Sequence, residues 1–173
     1  MTRADVEPLR ACFHRARVRQ LLVHARGFEL DPHRALAPHI EARILSVGAA
    51  RTRYVQRAPR CRSLDALTAL GDPERCCAQC LLRTRCTAQL RLDLIVERRA
   101  WRLLLERTSA KRFLNYHAQL HRRAIALEDI VHRIVIFDRG SWGELRFSES
   151  AGQGSTSHRA DNSRPHRSIH REY

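Results

Sequence analysis

The hydrophobic pattern changes period partway along the chain. In the first fifty residues apolar side chains recur at three- and four-residue intervals; from Leu90 they alternate with polar ones. Val6, Leu9, Phe13, Leu21 and Val23, interleaved with Arg10, Arg15, Arg17, Arg19 and Arg26, predict an amphipathic helix over 6–25, with Pro8 in its first turn and Gly27 as its stop. Asp31 ahead of Pro32 reads as an N-cap, and Leu36, Ile40, Ile44, Leu45 and Val47 predict a second helix that Gly48 ends. Residues 51–60 are arginine-rich around Tyr54 and Val55, a short strand or a connector. Ser63 caps an expected short helix over Leu64, Leu67 and Leu70, and Asp72-Pro73 begins another turn.

After the turn the period is two. Leu90, Leu92, Leu94 and Val96 alternate with Arg91, Asp93, Ile95 and Glu97, and a second alternating run follows through Trp101, Leu103 and Leu105, so the pair predicts an antiparallel hairpin. Ser109 opens a helix to about Ala124 with Phe113, His117, Leu120 and Ala124 on one face, and a further turn of helix spans Leu127 to Val131. Ile134 to Phe137 and then Leu145 and Phe147 read as strands around a turn held by Gly140 and Gly143.

The expectation is an α+β fold: N-terminal helices in a basic region (1–60), then a Cys-rich metal knuckle and a small antiparallel β-β-α-β-β sheet (61–147), then a tail (148–173). That tail holds almost nothing apolar and is expected to be disordered.

Charge alters the picture of partners. The 173 residues carry 32 basic and 18 acidic groups, a net +14, spread as +7 over 1–60, +6 over 61–147 and +1 over 148–173. A positive field distributed over the body favours nucleic acid or another acidic partner. Lys111 is the one lysine, and high-GC coding enriches arginine by itself, so the composition speaks to charge more than to selection. No apolar run reaches the ~18 residues of a membrane span, and no apolar leader opens the chain, so a cytoplasmic protein is expected.

The densest chemistry is the stretch Cys76-Cys77-Ala78-Gln79-Cys80-Leu81-Leu82-Arg83-Thr84-Arg85-Cys86, with Cys61 upstream and Cys12 alone near the N-terminus. In a reducing compartment such spacing marks metal ligands rather than disulfides. Cys77-x2-Cys80 is the pair a single turn brings onto one ion; Cys86 and Cys61 complete a four-thiolate set, and Cys76 is an alternative to Cys77. Zinc is the first choice of metal, and an iron–sulfur cluster the alternative. Arg83 and Arg85, between ligands, favour the thiolate.

Cys61…Cys77-x2-Cys80-x5-Cys86 resembles the ligand spacing of the WhiB-like iron–sulfur transcription regulators, and Gly140-Ser141-Trp142-Gly143 is similar to the Gly-x-Trp-Gly turn of that family. The resemblance implies a redox- or nitric-oxide-sensitive cluster in a basic transcription factor. That family is short and largely helical with its turn close behind the cluster, whereas here more than fifty residues and expected strands intervene. The Cys-x2-Cys-x5-Cys segment is also similar to the cluster loops of endonuclease III-like glycosylases and RecB-like exonucleases, without the Asp…Glu-x-Lys or helix-hairpin-helix motifs that accompany those loops.

Arg91, Arg102, Arg139 and Arg146, with Trp142 between its two glycines, are the candidate nucleic-acid contacts, a basic and aromatic surface suited to single strands. Trp101 and Phe147 serve either that surface or the core. His117 and His121 share a helix face without the glutamate of a His-Glu-x-x-His site. No nucleophile elbow, phosphate loop or carboxylate pair points to an enzyme or a small-molecule substrate. The sequence therefore reads as a non-enzymatic, metal-stabilised binder of single-stranded DNA or RNA; a WhiB-like regulator and a zinc-stapled protein-interaction subunit are the alternatives.

Overall fold

The computed structural model describes residues 18–33, 35–56, 58–69, 77, 79–140 and 143–151. Strands β1 (Arg19–Gln20), β2 (Leu22–His24) and β3 (Gly27–Glu29) precede a 17-residue strand, β4 (His39–Val55), from which β5 (Ala58–Ser63) turns back. Then come β6 (Thr87–Val96), β7 (Arg99–Glu106), the helix α1 (Arg107–Arg122), β8 (His132–Asp138) and β9 (Gly143–Glu149). Seven of the strands make one sheet in the order β1-β7-β6-β4-β8-β9, with β5 also on β4; β2 and β3 pair separately. The β1–β7 pair is parallel and the other pairs are antiparallel.

The expected N-terminal helices are overturned. Of the described residues 53% are in strands and 18% in helix, and the sheet is mixed. Residues 6–17 of the first expected helix lie outside the described residues; the remainder is β1, β2 and the turn into β3. Most of the second expected helix is β4. The signal misled because Ile40 and Ile44 are four apart, a spacing that satisfies a helix and a strand alike. Ala42 decides between them: Ile40, Ala42 and Ile44 are all buried, a period of two, while His39 and Glu41 are exposed. The short helix expected after Ser63 is replaced by a local turn. Asp65 Oδ1 accepts the N–H groups of Leu67 and Thr68 and the Ser63 hydroxyl, and Ala66 sits at φ 61°, where a right-handed helix cannot start. The turn expected at Asp72-Pro73 lies outside the described residues.

Across residues 87–149 the order is strand, strand, helix, strand, strand. The β6–β7 hairpin closes on Glu97 and Arg98, both left-handed (φ 47° and 64°), the geometry of a tight hairpin turn made here without glycine or asparagine. Helix α1 lays Phe113, Tyr116 and Leu120 on one face of the sheet, against Leu92, Leu94, Leu103, Leu105 and Ile134. Phe147 meets Phe113 edge-on at 5.2 Å between ring centroids. The opposite face carries mostly polar side chains around a small apolar cluster of Leu45, Ile95 and Ala100, and Arg62 of β5 bonds Gln20 of β1, so the two ends of the β1-β7-β6-β4-β5 path are tied to each other.

A buried polar pair pins the helix. His132 Nε2 lies 2.8 Å from the Leu127 carbonyl, which only accepts, so Nε2 carries the hydrogen and Nδ1 accepts the Tyr116 hydroxyl at 2.7 Å. Burial pushes the His132 pKa below its ordinary value, with the bond to Leu127 opposing it. A histidine held neutral binds fewer protons folded than unfolded. Its contribution to stability is therefore complete above the unfolded value of ~6.5 and is lost as pH falls below it. Stability by chemical denaturation is expected to drop between pH about 7.5 and about 5.5, and Tyr116→Phe to cost about 1–2 kcal/mol at neutral pH. Ring NMR showing His132 charged in the folded protein near pH ~6 would contradict this assignment.

Candidate metal centre

Cys61 lies on β5 directly opposite Arg53 of β4, with Ser63 opposite Arg51. On its other edge β4 pairs with β6 as far as Thr52 opposite Thr87. One step further in that register sets Cys86 level with Arg53, so Arg53 stands between Cys61 and Cys86. A shift of register between Arg53 and Tyr54 leaves Arg60 as the extra, exposed residue beside Cys61.

Two consecutive turns bring in the other thiols. The Cys77 N–H donates to the Leu67 carbonyl at 2.7 Å, which moors the cysteine stretch to the Asp65 turn. Arg83 N–H donates to the Cys80 carbonyl and Cys86 N–H to the Arg83 carbonyl, through the 3-10 turn Arg83–Arg85. Leu82 is thereby turned inward.

The result is a small cavity, about 40 Å³, lined by Cys61, Cys77, Cys80, Cys86, Leu82 and Ala69, with Arg51, Arg53 and Arg83 around it. All four cysteines are partly buried and unbridged. The volume suits one ion or one water. The Cys86 thiol is pushed up by burial and next by the Cys61, Cys80 and Cys77 thiols beside it, with Arg51 opposing. As they stand the side chains do not close on a point: no three histidine, cysteine, aspartate or glutamate side chains among the described residues form a metal-holding group. The Cys86 thiol is turned onto the Leu82 carbonyl, 3.6 Å away. Cys12 and Cys76 lie outside the described residues.

The expected nucleic-acid contacts are placed differently from one another. Arg102 Nε lies 2.8 Å and Arg91 Nε 3.5 Å from the Asp93 carboxylate, and Asp93 also accepts the Ser46 hydroxyl. Both guanidiniums are largely covered, at 13% and 22% side-chain exposure, and Arg91 reaches on to the Leu64 carbonyl. Gly48 makes room for it: a Cβ there would stand 2.9 Å from the Arg91 guanidinium. Arg139 and Arg146 surround a different carboxylate, Glu144, together with Arg112. Burial raises the Glu144 pKa, but the bonds and charges of Arg139 and Arg112 outweigh it and hold the carboxyl below its ordinary value. Arg146 also lies over the Phe137 ring, 3.7 Å from its centroid. Strands β4 and β8 separate these two clusters in the sheet. Trp142 lies outside the described residues, and Trp101 and Phe147 belong to the core.

Sequence reasoning missed a second polar assembly. Thr52 donates to Gln89, Gln89 donates to Glu106, and Tyr54 donates to Glu106, beside a cleft of about 560 Å³ that runs from Leu22 and His24 to the start of α1. The residues come from three strands, and nothing in their linear spacing joins them. Burial and then the Glu106 charge push the Tyr54 phenol up, which keeps it a hydrogen-bond donor.

Because Arg102 and Asp93 neutralise each other under cover, Arg102→Ala is expected to act on folding, costing about 3 kcal/mol in urea titrations by leaving Asp93 short of a counter-charge. A variant as stable as the parent would show that Arg102 is not part of the framework. The described residues contain no helix long and apolar enough to cross a membrane. The chain matches no protein-family model, no curated protein and no solved structure.

Proposed function

We propose that this protein binds nucleic acid, with no catalytic step of its own, and that a metal ion held by Cys61, Cys77, Cys80 and Cys86 fixes the shape of its basic end. The observation that carries the reading is that four unbridged thiols from β5, the mooring turn and the 3-10 turn line one ion-sized cavity. Thiolates are the ligands that soft and borderline ions select, and four of them complete a tetrahedral zinc shell. A cavity of about 40 Å³ favours one zinc ion over a multi-iron core. A divalent ion on four thiolates leaves a charge of about −2, which Arg51, Arg53 and Arg83 offset. The ion would join segments that share no apolar core of their own. The net charge of +14 supplies the attraction for phosphates, with an affinity that falls steeply as salt rises.

Elemental analysis of the purified protein is expected to find one zinc per chain. Cys80→Ser should lose the metal, and a chelator should lower the melting temperature of the parent but not of the variant. Protein that is folded and metal-free under reducing conditions, with a melting temperature indifferent to zinc, overturns the metal centre. A visible absorbance band with stoichiometric iron would replace zinc by a cluster.

A further inference from the structure

Five arginines crowd the cysteine end of the molecule: Arg51 and Arg53 on β4, Arg60 beside Cys61, and Arg83 and Arg85 in the 3-10 turn. None of the five guanidiniums has a carboxylate or hydrogen-bond partner among the described residues. By contrast Arg102, Arg112, Arg123 and Arg139 are each bonded to a carboxylate. Asp65, the described acid of this segment, is occupied by the Ser63 hydroxyl and two backbone N–H groups. Five positive charges exceed the charge of about −2 on a zinc tetrathiolate, so the surplus faces outward.

The same turn displays an apolar tip. Arg83 N–H closes on the Cys80 carbonyl, which sends Leu82 into the thiol cavity and Leu81 out of it. Leu81 is 97% exposed. Leu67, whose carbonyl holds Cys77, is 62% exposed nearby. Leu81 thus offers an exposed apolar contact next to the exposed Arg83 and Arg85. Its surroundings match a ligand with alternating negative and flat apolar groups.

We propose that this tip is the single-strand contact of the protein: Arg60, Arg83 and Arg85 take successive phosphates, and Leu81 lies against the face of an unstacked base. The inference rests on the nucleic-acid reading above and locates it on a surface other than the five arginines around Asp93 and Glu144. A strand with splayed bases fits better than a duplex, because a turn, not a helix, carries the contacts, and an unstacked base presents a face that a paired one hides. The metal centre then holds Arg83 and Arg85 in place against Arg51 and Arg53.

The test is binding of the full-length protein to a labelled single-stranded oligonucleotide across a salt series, with melting temperatures for every variant. Arg83→Ala/Arg85→Ala should make the slope of log affinity against log salt shallower by about 1.4, at an unchanged melting temperature. Leu81→Ser should weaken binding several-fold with the slope unchanged. Arg98→Ala/Arg99→Ala, at the turn on the opposite end of β6, should match the parent. Binding by the parent that neither tip variant alters overturns the tip and leaves the nucleic-acid reading standing. No binding by the parent at low salt overturns that reading itself. Capture by anionic lipid vesicles without oligonucleotide binding, lost in Leu81→Ser, would reassign the tip to a lipid surface.

Discussion

The architecture hangs on the pairing of one strand along both of its edges. From Arg43 to Thr52, β4 is laddered to β6; on the other edge its first four residues hold β8 and its last five hold β5. Remove β4 and the β6–β7 hairpin, the β8–β9 hairpin and β5 share no backbone hydrogen bonds with one another. One irregularity makes this arrangement possible. The register shifts between Ile44 and Ser46, so Leu45 is an extra residue. Ile44 opposes Leu94 in the core under α1, while Leu45 packs with Ile95 and Ala100 on the reverse face. Past the bulge, Ser46, Gly48, Ala50 and Thr52 line up with Asp93, Arg91, Gln89 and Thr87. An unbroken alternation would have sent the polar residues of that end into the helix-facing core, and a shift of one residue turns them to the other side.

Paired charge explains how so arginine-rich a chain folds. Buried charge is tolerable when paired and fully bonded. Asp93 collects Arg91, Arg102 and Ser46; Glu144 collects Arg112, Arg139 and Arg146. Each carboxylate gathers more guanidinium than it neutralises, so the clusters stay net positive while each ion remains partnered. Asp93 and Glu144 are thereby consumed in building the sheet. The charge left over collects where acids are fewest among the described residues, at the thiol cavity.

What was legible in the sequence follows from which forces act locally. Leu90, Leu92, Leu94 and Val96 alternate because that side of β6 faces the core under α1, and that period is written in the chain, although Asp93 and Ile95 on the other side are buried as well. Phe113 and Leu120 mark the buried face of α1 for the same reason. The β4 strand was not legible, because its decisive residues are small: Ala42 and Ala50 are buried without being large, and Leu45 breaks the alternation. The cysteine spacing marked the residues that line the cavity, yet the placement of Cys61 depends on β4 being extended, so that Arg53 stands between it and Cys86. The arginine partners were illegible altogether. Whether a guanidinium meets Asp93, Glu144 or solvent is decided by register across strands far apart in sequence, and no linear pattern encodes it.

The thiol cavity and the sheet register are therefore coupled. The β4–β5 pairing ends in a shift beside Cys61, and β6 begins immediately after Cys86. A metal on the four thiols would fix the relative position of three strand ends, whose pairing otherwise ends at Thr52 on one edge and at Val55 on the other. Strand ends fray because each added residue gains one ladder bond for the backbone entropy it loses. A cross-strand ligand set removes that freedom at the place where Arg60, Arg83 and Arg85 are exposed. The metal would then act less on the stability of the hydrophobic core, which α1 already covers, than on how sharply the basic end is held in one shape.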